Sequence, residues 1–162
     1  MQATNAPEPA PADSLRSDLE ATRRAFRDLA GGLPEARWAS RAPGSKWTGK
    51  QLLHHVTWAL EQLPKEVENA KREKGLFNCP KFLADNGSYW LVRWEARNET
   101  RETIVARYEA AIDRAIASLQ TVSGGEWKRG ARFYGEGFYT VADLFHTPAQ
   151  HLEEHSAPLL GR

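Results

Sequence analysis

The final stretch, Thr140–Arg162, reads TVADLFHTPAQHLEEHSAPLLGR, and its pattern decides the fold class. An α-helix turns ~100° per residue, so Leu144, Pro148, His151, Leu152, His155 and Leu159 fall within one stripe roughly 100° wide. Glu153 and Glu154 point elsewhere. The stretch therefore predicts a helix with one apolar face, and that face must be covered by other helices. Two imidazoles one turn apart on it need partners, because burying polar groups without them is costly. Two readings fit: core histidines bonded to carbonyls, or a pair of ligands gripping one metal ion. By itself HxxxH is a weak motif.

Working outward, Thr140 is placed to cap this helix. Thr147-Pro148-Ala149-Gln150 is a restart signal, with a capping residue, proline at the first position and Gln at the third. The sequence thus allows one kinked helix over 141–159 or two in succession. Gly124–Tyr139, rich in Gly and aromatics, allows a β-hairpin, but its alternation is too poor to commit to strands. Asn98–Leu119 is the clearest helix, with Ile104, Val105, Tyr108, Ala111, Ile112, Ala115, Ile116 and Leu119 on one side and Thr100/Thr103 at its start. All of these read as core.

Thr48 and Gln51 form a capping-box pattern opening a second helix that runs toward Lys74 and Gly75. Its buried face is Leu52, Val56, Ala59, Leu60, Leu63 and Val67, and Pro64 should bend it. The wheel puts His55 at the border of that face and turns His54 away from the interior; His146 is also expected to face away. Leu15, Leu19, Thr22, Phe26 and Leu29 mark a helix over 14–30, stopped by Gly31-Gly32. Gly75–Glu99 is long and apolar, with Cys79, Trp90 and Trp94, and suits a cover over a pocket or a homodimer interface. A short helix is expected within Gly87–Ala96. Four amphipathic helices without a convincing strand predict an all-α fold, a four-helix bundle over residues 14–162 behind a disordered Ala/Pro-rich tail, 1–13.

Composition narrows the function. The chain has 162 residues, 22 Lys+Arg and 21 Asp+Glu, and no block of like charge. No nucleic-acid partner is expected. No stretch approaches the ~20 apolar residues that cross a bilayer, and the first dozen residues lack signal-peptide features. A single cysteine, Cys79, excludes an internal disulfide and suits the cytoplasm.

With Trp47-Thr48, His55, His151 and His155 in view, the sequence resembles the DinB/YfiT-like superfamily over roughly residues 14–160. The matching motifs are WTGKQLLHH, with His55 eight residues after Trp47, and HLEEH. The resemblance implies a bacterial four-helix bundle of up-down-down-up topology, with helices two and three parallel. It also implies a divalent metal, zinc or nickel most often, bound by His55, His151 and His155. Many relatives carry a carboxylate where this chain has Ala59, and Glu61 is the nearest acid. Several branches transfer thiols such as bacillithiol and mycothiol.

Three neutral imidazoles leave an ion with open positions, which suits catalysis better than a closed structural site. Activating water gives a hydrolase; activating a low-molecular-weight thiol gives an S-transferase acting on a small electrophile. The absence of a carboxylate base at Ala59 favours thiol transfer. A binding module that sequesters a small molecule is the alternative without turnover. Trp90, Trp94 and Trp127 are expected over the site.

Overall fold

Reciprocal caps start three of the long helices. The Thr48 side chain accepts from the Gln51 amide and the Gln51 side chain accepts from the Thr48 amide, which opens the helix that starts at Gly49. Thr100 and Thr103 repeat the arrangement ahead of the helix that starts at Arg101. Thr140 and Asp143 do so for the last helix, with the Thr140 amide 2.8 Å from Asp143 Oδ2. The computed structural model describes residues 11–75, 90–133 and 137–160. In it α1 spans Ala12–Gly32, α2 Glu35–Ala39, α3 Gly49–Lys71, α4 90–95, α5 Arg101–Leu119 and α6 Val141–Leu160.

The all-α expectation stands, with adjustments at the ends. α1 begins at Ala12, within the stretch read as a tail, and runs through Gly31 and Gly32. α3 stops at Lys71 rather than near Lys74, where Glu73 turns to a left-handed φ of 55°. Pro64 lies inside α3, and Pro148 and Pro158 lie inside α6, which is one helix rather than two. Helical residues 90–95 fall within the expected 87–96, whereas most of the apolar connection, with Cys79, is outside the described residues.

The Gly- and aromatic-rich stretch forms the hairpin that the sequence left open. Gly130–Phe133 (β1) and Gly137–Thr140 (β2) pair antiparallel, with Gly130 opposite Thr140. A Cβ on Gly130 would lie 2.1 Å from the Tyr139 carbonyl oxygen, so this pairing requires glycine. The same glycines erase the alternation by which a strand is read from sequence. Functionally, the hairpin delivers Tyr139 and Thr140 to the start of α6.

The core is continuous across the four long helices. Leu15, Leu19 and Phe26 of α1 meet Ile104, Tyr108 and Ile112 of α5; Leu52, Leu53 and Leu60 of α3 lie in the same cluster, as do Leu144 and Phe145 of α6. α3 packs on both α5 and α6, and α1 also packs on both. Ion pairs lace the α1/α5 seam: Arg23 reaches Asp113 at 2.6 Å and Glu109 at 3.0 Å, and Arg27 reaches Glu109 at 2.6 Å. At that seam's other end Arg101 donates to the carbonyls of Ala30 and Leu33. Among the described residues, no helix is long and apolar enough to cross a membrane.

Candidate metal centre

α3 presents His55, and α6 presents His151 and His155 one turn apart. The structure brings these three together: each offers a ligand atom within 4.8 Å of the others. Ring centroids are 5.0 Å apart for His55–His151 and for His55–His155, and 4.4 Å for His151–His155. No carboxylate or thiol joins the group among the described residues. Trp47, just ahead of the α3 cap, lays its ring 4.6 Å from that of His55 and 6.1 Å from that of His155. The motif tryptophan is therefore a wall of the cluster.

The electrostatics suit a cation. Burial, then the neighbouring imidazoles, push His55 down to about 3; burial, then His155, push His151 down to about 4. Burial also lowers His155. All three rings are thus neutral at pH 7, the form that ligates a metal. His55 Nδ1 and His151 Nε2 are buried with no hydrogen-bond partner in the protein. Such orphaned ring nitrogens are costly, and an ion bound between the rings would satisfy them in the tautomers that turn a lone pair toward it. The three histidines could hold a metal ion.

These shifts have a consequence for the metal-free protein. The folded pKa values lie below the ordinary 6.5, so the unfolded chain binds more protons in between, and stability rises with pH there. The contribution is full above about pH 6.5 and declines as pH falls toward about 4 and 3. Urea midpoints of metal-free protein should therefore be flat from pH 7 to 8 and fall steadily from 6.5 to 4.5. His151→Gln should fall less steeply; an identical slope in both proteins would mean that His151 is not held neutral.

The expectation for His54 requires correction. It does not join the cluster, yet it is buried, 1 % exposed, rather than turned outward. Its Nε2 is 3.2 Å from Glu95 Oε2 and its Nδ1 is 3.1 Å from Glu99 Oε2. The Arg107 guanidinium completes the group, contacting Glu99 and grasping the Glu61 carboxylate at 3.1 and 2.6 Å. Glu61, the nearest acid after His55, is thereby committed to α5 and is not a ligand candidate. His146 is half-exposed, with Nδ1 3.9 Å from Asp18.

A cavity of about 400 Å³ opens beside His151, between α3 and α6. Its aromatic lining is Trp58, Tyr108 and Tyr139, not the tryptophans expected from sequence. Trp90 and Trp94 are 67 % and 62 % exposed, and Trp127 packs toward Phe145, 6.1 Å between rings. Ala59, one turn after His55, lines this cavity, as do Glu66 and Glu154.

The fold and the cluster define a class: an all-α protein whose two facing helices bring three neutral histidines to one point. The chain belongs to the DinB superfamily, whose family model matches residues 18–157. That span lies within residues 14–160, which carry the Trp47-Thr48, His55 and His151/His155 motifs. Neither curated proteins nor solved structures supply a match.

Proposed function

We propose that this protein is a divalent-metal-dependent enzyme, with zinc or nickel held by His55, His151 and His155, that transfers a low-molecular-weight thiol to a small electrophile. The observation that carries the proposal is the all-imidazole cluster beside an organic-sized cavity with Ala59 next to it. A divalent ion there supplies Lewis acidity that lowers the pKa of a thiol or water it binds. The neutral imidazoles leave its positive charge undiminished. Trp47 holds one side of the cluster, and the apolar part of the cavity wall, with Val56, Leu60, Leu63 and Leu144, shields an electrophile from water.

In the proposed reaction the thiol sulfur bonds to the electrophilic carbon, the leaving group departs with its electron pair, and the thiol proton goes to solvent. No base four residues after His55 is needed, which agrees with alanine there. The up-down-down-up arrangement belongs to the same proposal. Its support is the sequence of contacts: residues 23, 27 and 30 of α1 meet 113, 109 and 101 of α5. Residues 61 and 71, in and ending α3, meet 107 and 121, in and just after α5. Cytoplasmic work, where low-molecular-weight thiols stay reduced, completes the reading.

One observation favours hydrolysis instead: Glu154 lies on the cavity wall, three residues from His151, where it could serve as a base. The experiment is to incubate zinc- or nickel-loaded protein with 1-chloro-2,4-dinitrobenzene, with and without bacillithiol, mycothiol or glutathione. Metal-dependent thioether formation above the uncatalysed rate is the expected result. Metal-dependent loss of substrate at one rate whether or not a thiol is present, and slowed by Glu154→Gln, would assign hydrolysis.

A further inference from the structure

Besides the histidine of the cluster, the cavity is lined by a deeply buried tyrosine whose hydroxyl has nothing to bond. Tyr108 is 1 % exposed, and its ring stacks flat on Phe26, centroids 3.6 Å apart. Its hydroxyl is buried without a hydrogen-bond partner in the protein. The hydroxyl oxygen lies on the ring axis, so a ring flip does not move it, and the stack fixes where it points. Phenylalanine would fill the same space without an unpaired polar atom, so packing alone gives no reason for tyrosine here. Burial raises the hydroxyl pKa further above its usual 10, which keeps the proton on oxygen and leaves a donor.

The surroundings say what that donor would meet. Val56, Ala59, Leu60, Leu63, Leu144 and Pro148 make the nearby wall apolar, and His151 joins the same cavity to the three-histidine cluster. Its volume, about 400 Å³, suits a small organic ligand, since such pockets run from roughly 300 to 1,000 Å³. Gln62, Lys65, Glu66, Gln150 and Glu154 also line the cavity, so a ligand there meets an apolar surface and a polar one, with the Tyr108 hydroxyl as a donor held in place by the stack.

We infer that this cavity takes the organic substrate, a small molecule with an apolar body and a hydrogen-bond acceptor such as a carbonyl or nitro oxygen, and that Tyr108 orients it by donating to that acceptor. The inference rests on the reading of His55, His151 and His155 as the reacting centre. Tyr108 is then a specificity-determining residue, and Ala59 is small because a longer side chain would occupy the chamber.

The test uses the full chain, zinc-loaded and metal-free, with two probes that differ by one carbonyl: 4-fluoroacetophenone and 1-ethyl-4-fluorobenzene. Fluorine NMR titrations give both affinities for wild type, Tyr108→Phe and Ala59→Leu. In Tyr108→Phe the ketone should lose about five- to tenfold in affinity while the hydrocarbon loses nothing. Ala59→Leu should weaken both probes. Tyr108→Phe should melt no lower than wild type and bind zinc equally, so a folding defect cannot mimic the result. Equal losses of both probes, an unchanged ketone, or no binding of either probe to wild type would overturn the inference. Zinc content, measured separately on each protein, reports on the metal centre: wild type without zinc would sink that reading whatever the probes do.

Discussion

Replacing His155 with alanine is expected to weaken zinc binding by more than about a hundredfold, since losing even a partner of a metal ligand commonly costs 10–100-fold. The substitution is mild for the helix: His155 is half-buried near the end of α6, and alanine is a strong helix former. The loss should therefore appear in metal binding rather than in folding. A ligand that binds only the folded state stabilises it by about 2.7 kcal/mol at a hundredfold excess over its dissociation constant. For a protein of this size that is a shift of roughly 5–10 °C in melting temperature. Adding a chelator should lower wild type by that amount and scarcely move His155→Ala. His146→Ala, which alters an exposed histidine outside the cluster, should behave as wild type. Equal chelator shifts in wild type and His155→Ala would mean that the ion binds elsewhere.

Arg107→Ala should cause the largest loss of stability among the ion-paired residues. One guanidinium joins Glu61 of α3, Glu99 ahead of α5 and the edge of His54, whose ring nitrogen lies 3.3 Å away. Its pKa is raised, first by the bond to Glu61, so the charge is secure. Removing one member of a buried pair costs about 3–5 kcal/mol because the partner charge is stranded. The Arg107 side chain is 30 % exposed, with Glu61 at 21 % and Glu99 at 16 %, so solvent screening lowers the expectation to about 2–3 kcal/mol. That corresponds to a melting temperature lower by roughly 5–10 °C. Arg27→Ala is the contrast: its side chain is 56 % exposed, and its loss should cost under about 1 kcal/mol. Arg107→Lys should recover only part of the stability, because an ammonium cannot repeat the two-pronged contact with Glu61. A melting temperature of Arg107→Ala within a degree or two of wild type would show the network to be a surface feature.

The sequence carried the long helices because their signals are local. Thr48 with Gln51 and Thr100 with Thr103 make their capping bonds within four residues, and the apolar spacing of α1 and α5 lies within each element. His55, His151 and His155 were legible for the same reason, each from its position on one helical wheel together with the family motif. What escaped depends on chain segments far apart. The wheel rightly turned His54 from the cluster, but Glu95 and Glu99, more than forty residues on, bury it. Burial of Tyr108 was readable from period, whereas the lack of a partner for its hydroxyl was not. α2, with Trp38 its one buried residue, is too short to show a period. The hairpin could be suspected but not assigned, because Gly130, the residue its pairing demands, breaks the alternation.

The central claim is that one divalent ion is held by three imidazoles and no other side chain. X-ray absorption at the zinc edge of the loaded protein tests it most directly. The expected spectrum has three imidazole nitrogens at about 2.0–2.1 Å, multiple scattering from their rings, and one or more light atoms from water or buffer. His155→Ala, prepared in parallel, should give no such signature at one ion per chain. A sulfur neighbour at about 2.3 Å, which would bring Cys79 to the ion, or a first shell with fewer than three imidazoles, would contradict the account.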